Sequence, residues 1–140
     1  DALLLDGDVV YAPELLRRLV NVKASDALLV DFSSQFTDEQ FMAGVRGDRI
    51  VELRRGPVTD AGSQGEWIGL TKLSANAASR FLAVVNAQIA RGDTAGGYED
   101  ALGGLLGEID FRCVPTGESP WVEVDFPDDL ARARALFGGR

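Results

Sequence analysis

Apolar residues fall along this chain in two rhythms. Short runs at Ala2–Leu5, Ala27–Phe32, Glu66–Leu73, Phe111–Val114 and Trp121–Phe126 have the length and composition of strands. Between them, Leu15, Leu16 and Leu19 follow Pro13 on one helical face, and Pro13 suits a first helical position. Ser74 predicts the cap of a longer helix to about Arg91, with Ala77, Phe81, Val84, Val85 and Ile89 on one face and Gly92 as its stop. Gly96-Gly97 introduces a helix near Tyr98–Ile109, and Pro127 opens a last one to Phe137. Phe41–Arg46 and Arg49–Arg54 read as a hairpin joined at Gly47-Asp48, two residues that tolerate positive φ. The stretch Gly56–Gly65, rich in glycine and small polar residues, reads as a mobile surface loop of a kind that often covers sites.

The opening order of strand, helix and strand predicts that Ala27–Phe32 lies parallel to Ala2–Leu5 after a helical crossover. The element order reads as one α/β or mixed-sheet unit with a hairpin flap. A chain of 140 residues fits one domain with a real core.

Charge and composition remove several functions. The net charge of -8 leaves no basic run to neutralise phosphates, which argues against nucleic acid and anionic membrane as partners. There is no histidine, so an imidazole base, a Ser-His-Asp triad and a Cys/His zinc cluster are all excluded. The lone Cys113 forms no internal disulfide and reads as a buried structural thiol. No apolar stretch has the length of a membrane span and no signal pattern opens the chain, so a cytoplasmic setting is the default expectation.

The candidate chemistry lies in acids at strand ends. Asp6 and Asp8 alternate about Gly7 after the first strand, where ligands of open α/β sheets bind. Only one of the pair need face a cation, while the other can hydrogen-bond or orient the turn. Glu123 and Asp125 also alternate, and acids closing an apolar strand are locally costly unless something uses them. Two strands ending in acid can hold carboxylates around one hard cation such as Mg²⁺. Asp128 and Asp129 read as first-turn residues complementing a helix dipole. Lys23, Arg54, Arg55 and Lys72 are candidate phosphate contacts. Trp67, Tyr98 and Trp121 could wall a cationic or apolar headgroup, with Glu66, Glu99 or Asp100 as counter-charges.

Four segments taken in order, Leu4–Val10, Gly65–Leu70, Tyr98–Leu102 and Trp121–Leu130, resemble the second half of the sugar-phosphate nucleotidyltransferase superfamily. In flavour they are similar to small cytidylyltransferases acting on phosphocholine or phosphonates. The resemblance covers essentially the whole chain. It implies a nucleotide-diphospho-sugar transferase fold of class α/β, a mostly parallel sheet flanked by helices with an antiparallel hairpin excursion, and makes residues 1–140 the C-terminal, metal- and acceptor-binding part. It implies Mg²⁺-dependent nucleotidyl transfer from an NTP, CTP favoured, to a small phosphorylated or phosphonate acceptor, with release of pyrophosphate. By the family pattern Asp8 and Asp125 are the catalytic metal ligands, supported by Glu123 and Asp6. Trp67, Tyr98, Glu99, Asp100, Trp121 and Arg54 fall to the acceptor, and choline or an aminoalkyl group would suit such a pocket.

Nothing here matches the family's glycine-rich nucleotide loop, and a family lysine near Phe41-Met42-Ala43 is not evident, so Arg54 or Arg55 would have to substitute. The resemblance therefore implies that the N-terminal nucleotide-binding half is absent, supplied in cis or as a separate chain, and that this chain alone is inactive. The first strand, lacking its sheet neighbours, is then expected to expose apolar surface. Two other readings stand beside this one. The chain could be a non-catalytic binding or regulatory module that keeps the fold without the nucleotide loop. It could also be a Mg²⁺-dependent phosphohydrolase with an aspartate nucleophile at Asp6-Gly7-Asp8, although that leaves Glu123-Val124-Asp125 without a role.

Overall fold

The computed structural model describes residues 1–34, 38–59, 61–93 and 96–139. Its elements run β1 (Ala2–Leu5), β2 (Val9–Tyr11), α1 (Pro13–Asn21), β3 (Ala27–Asp31), β4 (Phe41–Arg46), β5 (Arg49–Arg55), β6 (Ser63–Leu73), α2 (Ala75–Ala90), α3 (Tyr98–Gly104), a 3₁₀ turn (Leu105–Gly107), β7 (Arg112–Pro115), β8 (Trp121–Glu123) and α4 (Pro127–Phe137).

Local signals set the helix starts. Pro13 stands in the first turn of α1. The Ser74 hydroxyl accepts the Ala77 N–H at 3.1 Å and caps α2. Phe126 is the residue before α4, and its N–H is taken by the Asp129 carboxylate at 3.0 Å. That junction cuts the expected Trp121–Phe126 strand short at Glu123. The helix expected to reach Ile109 tightens into the 3₁₀ turn after Gly104. Ile89, expected on the inner face of α2, is 64% exposed.

The sheet corrects the expected architecture. The fold is mixed α/β; among the described residues β3 with β7 is the parallel pair, and the other strand pairs are antiparallel. β1 and β3 do run in the same direction, but β6 lies between them and pairs antiparallel with both. The reason is the length of β6. Its eleven residues pair β3 along one edge, and along the other they pair β4 near the start and β1 near the end. The β6–β4 pairing closes β6, β3, β7, β5 and β4 into a small barrel, and β1 is left at the outer edge. Leu3 and Leu5 of β1 are 42% and 39% exposed, which is the apolar surface expected along this strand.

The hairpin turns as expected, with Gly47 at φ 67°; Asp48 takes no positive φ. The loop after β5 is shorter than expected, because Ser63, Gln64 and Gly65 already belong to β6. It is pinned to the hairpin by Thr59 N–H to Glu52 at 2.9 Å and Gly62 N–H to Val45 at 3.1 Å. Asp60 lies outside the described residues.

Burial on both faces of β3 organises the core. Leu28 and Val30 face a cluster with Trp67, Phe81, Leu102 and Phe111 beneath α2 and α3, while Ala27 and Leu29 face Leu15, Leu19, Ile68 and Leu70 beneath α1. No helix among the described residues is long and apolar enough to cross a membrane.

Candidate active site

The site forms where a two-stranded ribbon meets the bend of β6. β2 pairs antiparallel with β8, Val9 opposite Glu123 and Tyr11 opposite Trp121, and the Val124 N–H donates to the Asp8 carbonyl at 2.9 Å. This pairing brings Asp8, next to Val9, beside Glu123, which lies 115 positions further along the chain. Carboxylate oxygens of Asp8, Glu123 and Asp125 lie within 4.8 Å of one another. No salt bridge among the described residues takes up any of the three. Partial desolvation, reinforced by the charges of Asp125, Asp8, Glu66 and Asp6, pushes the Glu123 carboxyl up to about 7. An all-oxygen donor set, mutually repelling and reached by water, fits a hard divalent cation.

Asp6 does not join this group. Its carboxylate accepts the Tyr98 hydroxyl, and its N–H donates to the Gly69 carbonyl at 3.1 Å. Burial holds the Asp6 carboxyl above its ordinary range against the lowering effect of that hydroxyl, and Asp8 and Glu99 add to the rise. The Tyr98 ring packs edge-on against Trp67 and Phe81, with centroids 6.0 and 6.3 Å away. Burial and the Asp6 carboxylate raise the Tyr98 hydroxyl far above its ordinary value, so it acts as a donor.

Beside the three acids opens a pocket of about 410 Å³. Acids dominate its wall, namely Asp6, Glu39, Glu66, Glu99, Glu123 and Asp125, with Phe41, Trp67 and Trp121 as aromatic surfaces and Arg55 as the basic lining residue. Arg55 donates to the Glu39 carbonyl at 2.7 Å and lies over the Phe41 ring at 5.0 Å.

Several expected site residues fall elsewhere. Arg54 is outside the lining and sits 3.7 Å from Glu52, since successive strand residues face opposite ways and Arg55 takes the pocket side. Asp100 is exposed and outside the lining, one helical step beyond Glu99. Lys72 donates to the carbonyls of Val20 and Val22 at the end of α1, away from the pocket. None of the described residues of the Gly56–Gly62 loop lines the pocket.

Asp31 is not among the candidates drawn from the sequence, yet it anchors the pocket wall through Trp121. It is 8% exposed and accepts the Trp121 indole N–H at 2.7 Å, the Ser33 N–H at 2.8 Å and the Ser33 hydroxyl at 2.7 Å. Burial would raise its carboxyl, but these hydrogen bonds outweigh burial and hold it below the ordinary value. The available signal was the one used for Asp6 and Asp125, an acid closing an apolar strand. Glu66, named as a counter-charge, is 6% exposed and accepts the Gln40 side-chain N–H at 2.9 Å. Its carboxyl is raised, by burial first, partly offset by Ser34 and Gln40, with Asp31 adding to the rise. Cys113 is half-buried, and desolvation raises its thiol to about 11, in keeping with a structural role.

No family model matches the sequence, and no curated protein matches it. Solved structures do match. A CTP:phosphocholine cytidylyltransferase from Streptococcus pneumoniae superposes with a TM-score of 0.72 at 14% identity, over 96% of this chain and 56% of that one. A UTP-bound UGPase from Acinetobacter baumannii gives 0.68 at 12% identity, over 99% and 50%. The inositol-1-phosphate CTP transferase from T. maritima gives 0.61 at 16% identity, over 95% and 54%. At these identities the likeness is one of fold. The chain therefore has a nucleotidyltransferase fold and spans about half the length of the solved nucleotidyltransferases it matches.

Proposed function

We propose that this chain is the metal- and acceptor-binding part of a nucleotidyltransferase that acts on an NTP, CTP favoured, and a small phosphorylated or phosphonate acceptor in the cytoplasm. The observation that carries this reading is the meeting of Asp8, Glu123 and Asp125 at the rim of an acid-lined pocket, on a fold shared with nucleotidyltransferases. Those three carboxylates would hold a divalent cation such as Mg²⁺, which when bound neutralises phosphate charge. The nucleotide would be gripped by residues beyond this chain, in cis or on a separate polypeptide.

Within the chain, catalysis rests on positioning and charge, which is why a protein without histidine can carry it. The acceptor's phosphate or phosphonate oxygen is already a nucleophile and needs no base. Arg55, the basic lining residue, would contact that anionic end. The rest of the wall suits a cation. Phe41, Trp67 and Trp121 offer ring faces, and Glu66, Glu99 and Glu39 offer negative charge, which together favour an acceptor carrying choline or an aminoalkyl group over an uncharged sugar. Asp31 serves this wall by holding the Trp121 indole.

The test is pyrophosphate release from each NTP with phosphocholine, aminoethylphosphonate and sugar 1-phosphates, using the polypeptide as its gene encodes it. Mg²⁺-dependent release with CTP and one ammonium-bearing acceptor is the expected result. Equal turnover of sugar 1-phosphates would remove the cationic acceptor. Silence with every pair, from a folded protein, would overturn the transferase reading in favour of a binding module.

A further inference from the structure

Asp6 and Tyr98 both read as direct site contacts in the sequence, and the geometry points to a different division of labour. Three elements close on the Asp6 carboxylate: the turn after β1, the bend of β6 at Gly69, and Tyr98 at the start of α3. Gly69 has φ +76°, and a Cβ there would lie 2.1 Å from Asp6 Oδ2, so the carboxylate rests directly on the strand backbone. The Asp6 N–H is tied to the Gly69 carbonyl at 3.1 Å, and its side chain is tied to the Tyr98 hydroxyl.

Asp8, two residues on, has nothing comparable. Its backbone carbonyl accepts from Val124 at 2.9 Å. Its carboxylate is exposed and has no hydrogen-bond partner among the described residues. Between the two acids stands Gly7, where a Cβ would meet nothing within 4 Å. A glycine in open space resists no rotation. On the C-terminal side Asp8 is fixed by the β2–β8 ladder, through Val9 opposite Glu123 and the Val124 N–H; on the N-terminal side the nearest fixed residue is Asp6.

We propose that Tyr98, Asp6 and Gly69 form a positioning latch: they hold the turn so that Asp8 stays within reach of Glu123 and Asp125, and Asp6 is not itself a ligand. This rests on the metal-binding reading of those three acids. It also ties α3, through Tyr98 wedged between Trp67 and Phe81, to the order of the acidic group.

Terbium titration of the polypeptide as its gene encodes it, read by luminescence sensitised through the pocket residues Trp67 and Trp121, separates the roles. Tyr98→Phe keeps the ring packing and removes only the hydroxyl, so the fold should persist, as circular dichroism and thermal melting would show. We expect Tyr98→Phe to weaken terbium binding about ten- to a hundredfold, the worth of one hydrogen bond to a charged group. Asp6→Asn should weaken it comparably, and the double variant no more than Asp6→Asn alone. Asp8→Asn is the ligand control and should abolish binding. Unchanged affinity in Tyr98→Phe beside a large loss in Asp6→Asn would overturn the latch and make Asp6 a ligand. Additive losses in the double variant would overturn it too. A folded wild-type chain that binds no terbium would sink the metal reading itself, an outcome distinct from either.

Discussion

Asp31 and Glu66 are neighbours in register on β3 and β6, both almost fully buried, and their carboxyls are shifted in opposite directions from the ordinary range. Asp31 gains hydrogen bonds in the folded state, so its carboxyl is held below the ordinary 3.8. Its stabilisation is present above that value and is lost as the pH falls through the lower folded value. Glu66 is pushed above the ordinary 4.5, first by burial. Its protonated form favours the fold, and stability is lost as the pH rises from 4.5 through the higher folded value. Asp31→Asn should therefore destabilise at neutral pH, with a deficit that shrinks in strong acid. Glu66→Gln should stabilise at neutral pH and change nothing below about pH 4. Thermal melting of both variants across pH checks this, and the same sign for both would show that their environments are not as described. Of the site's acids, Asp6, Asp8, Glu123 and Asp125 were legible because they close apolar runs. Asp31 closes one as well, but of its partners Ser33 is 2 positions further along the chain and Trp121 is 90. Only folding shows that they converge.

At the scale of elements, β6 decides the architecture, and Gly69 is where it bends. The β3–β6 register slips between Leu28 and Val30, leaving more residues on β6 than on β3 across the bend. Gly69→Ala would meet both the strained backbone and the Asp6 carboxylate, and should cost about 1–3 kcal/mol in urea unfolding. Combining it with Asp6→Ala should return part of that loss, because the collision is then removed and only the backbone strain remains. Full stability in Gly69→Ala would show that the bend tolerates a side chain. Helix starts and the hairpin were readable because capping, proline and turn chemistry act within a few residues. The direction in which strands pair was not. A run such as Ala27–Asp31 is apolar on both faces whether its neighbours run with it or against it.

For the whole molecule, the exposed edge at β1 is the feature with a consequence. Leu3 and Leu5 on β1, with Val20 of α1 nearby at 47% exposure, present apolar surface beside an unpaired strand edge. Such edges invite pairing with another chain. The chain by itself should self-associate, and Leu3→Lys should lower its apparent mass in sedimentation velocity without altering its circular dichroism. A wild-type chain that sediments as a sharp monomer at high concentration would contradict this.

Much of this protein is determined locally. The positions of its helices, the hairpin, the exclusion of an imidazole base and of a Cys/His zinc cluster, and the acids at strand ends all follow from residue types and their near neighbours. The resemblance to nucleotidyltransferases rests on the same short segments. The tertiary structure alone decided that β6 separates β1 from β3, that the strands close into a small barrel, that Arg55 rather than Arg54 reaches the pocket, and that Asp8 meets Glu123 and Asp125 while Asp6 turns to Tyr98. The physical reason is range. Periodicity and capping are written into a few consecutive residues, whereas register and closure depend on contacts between distant ones, and their free energy is settled only when the whole chain packs.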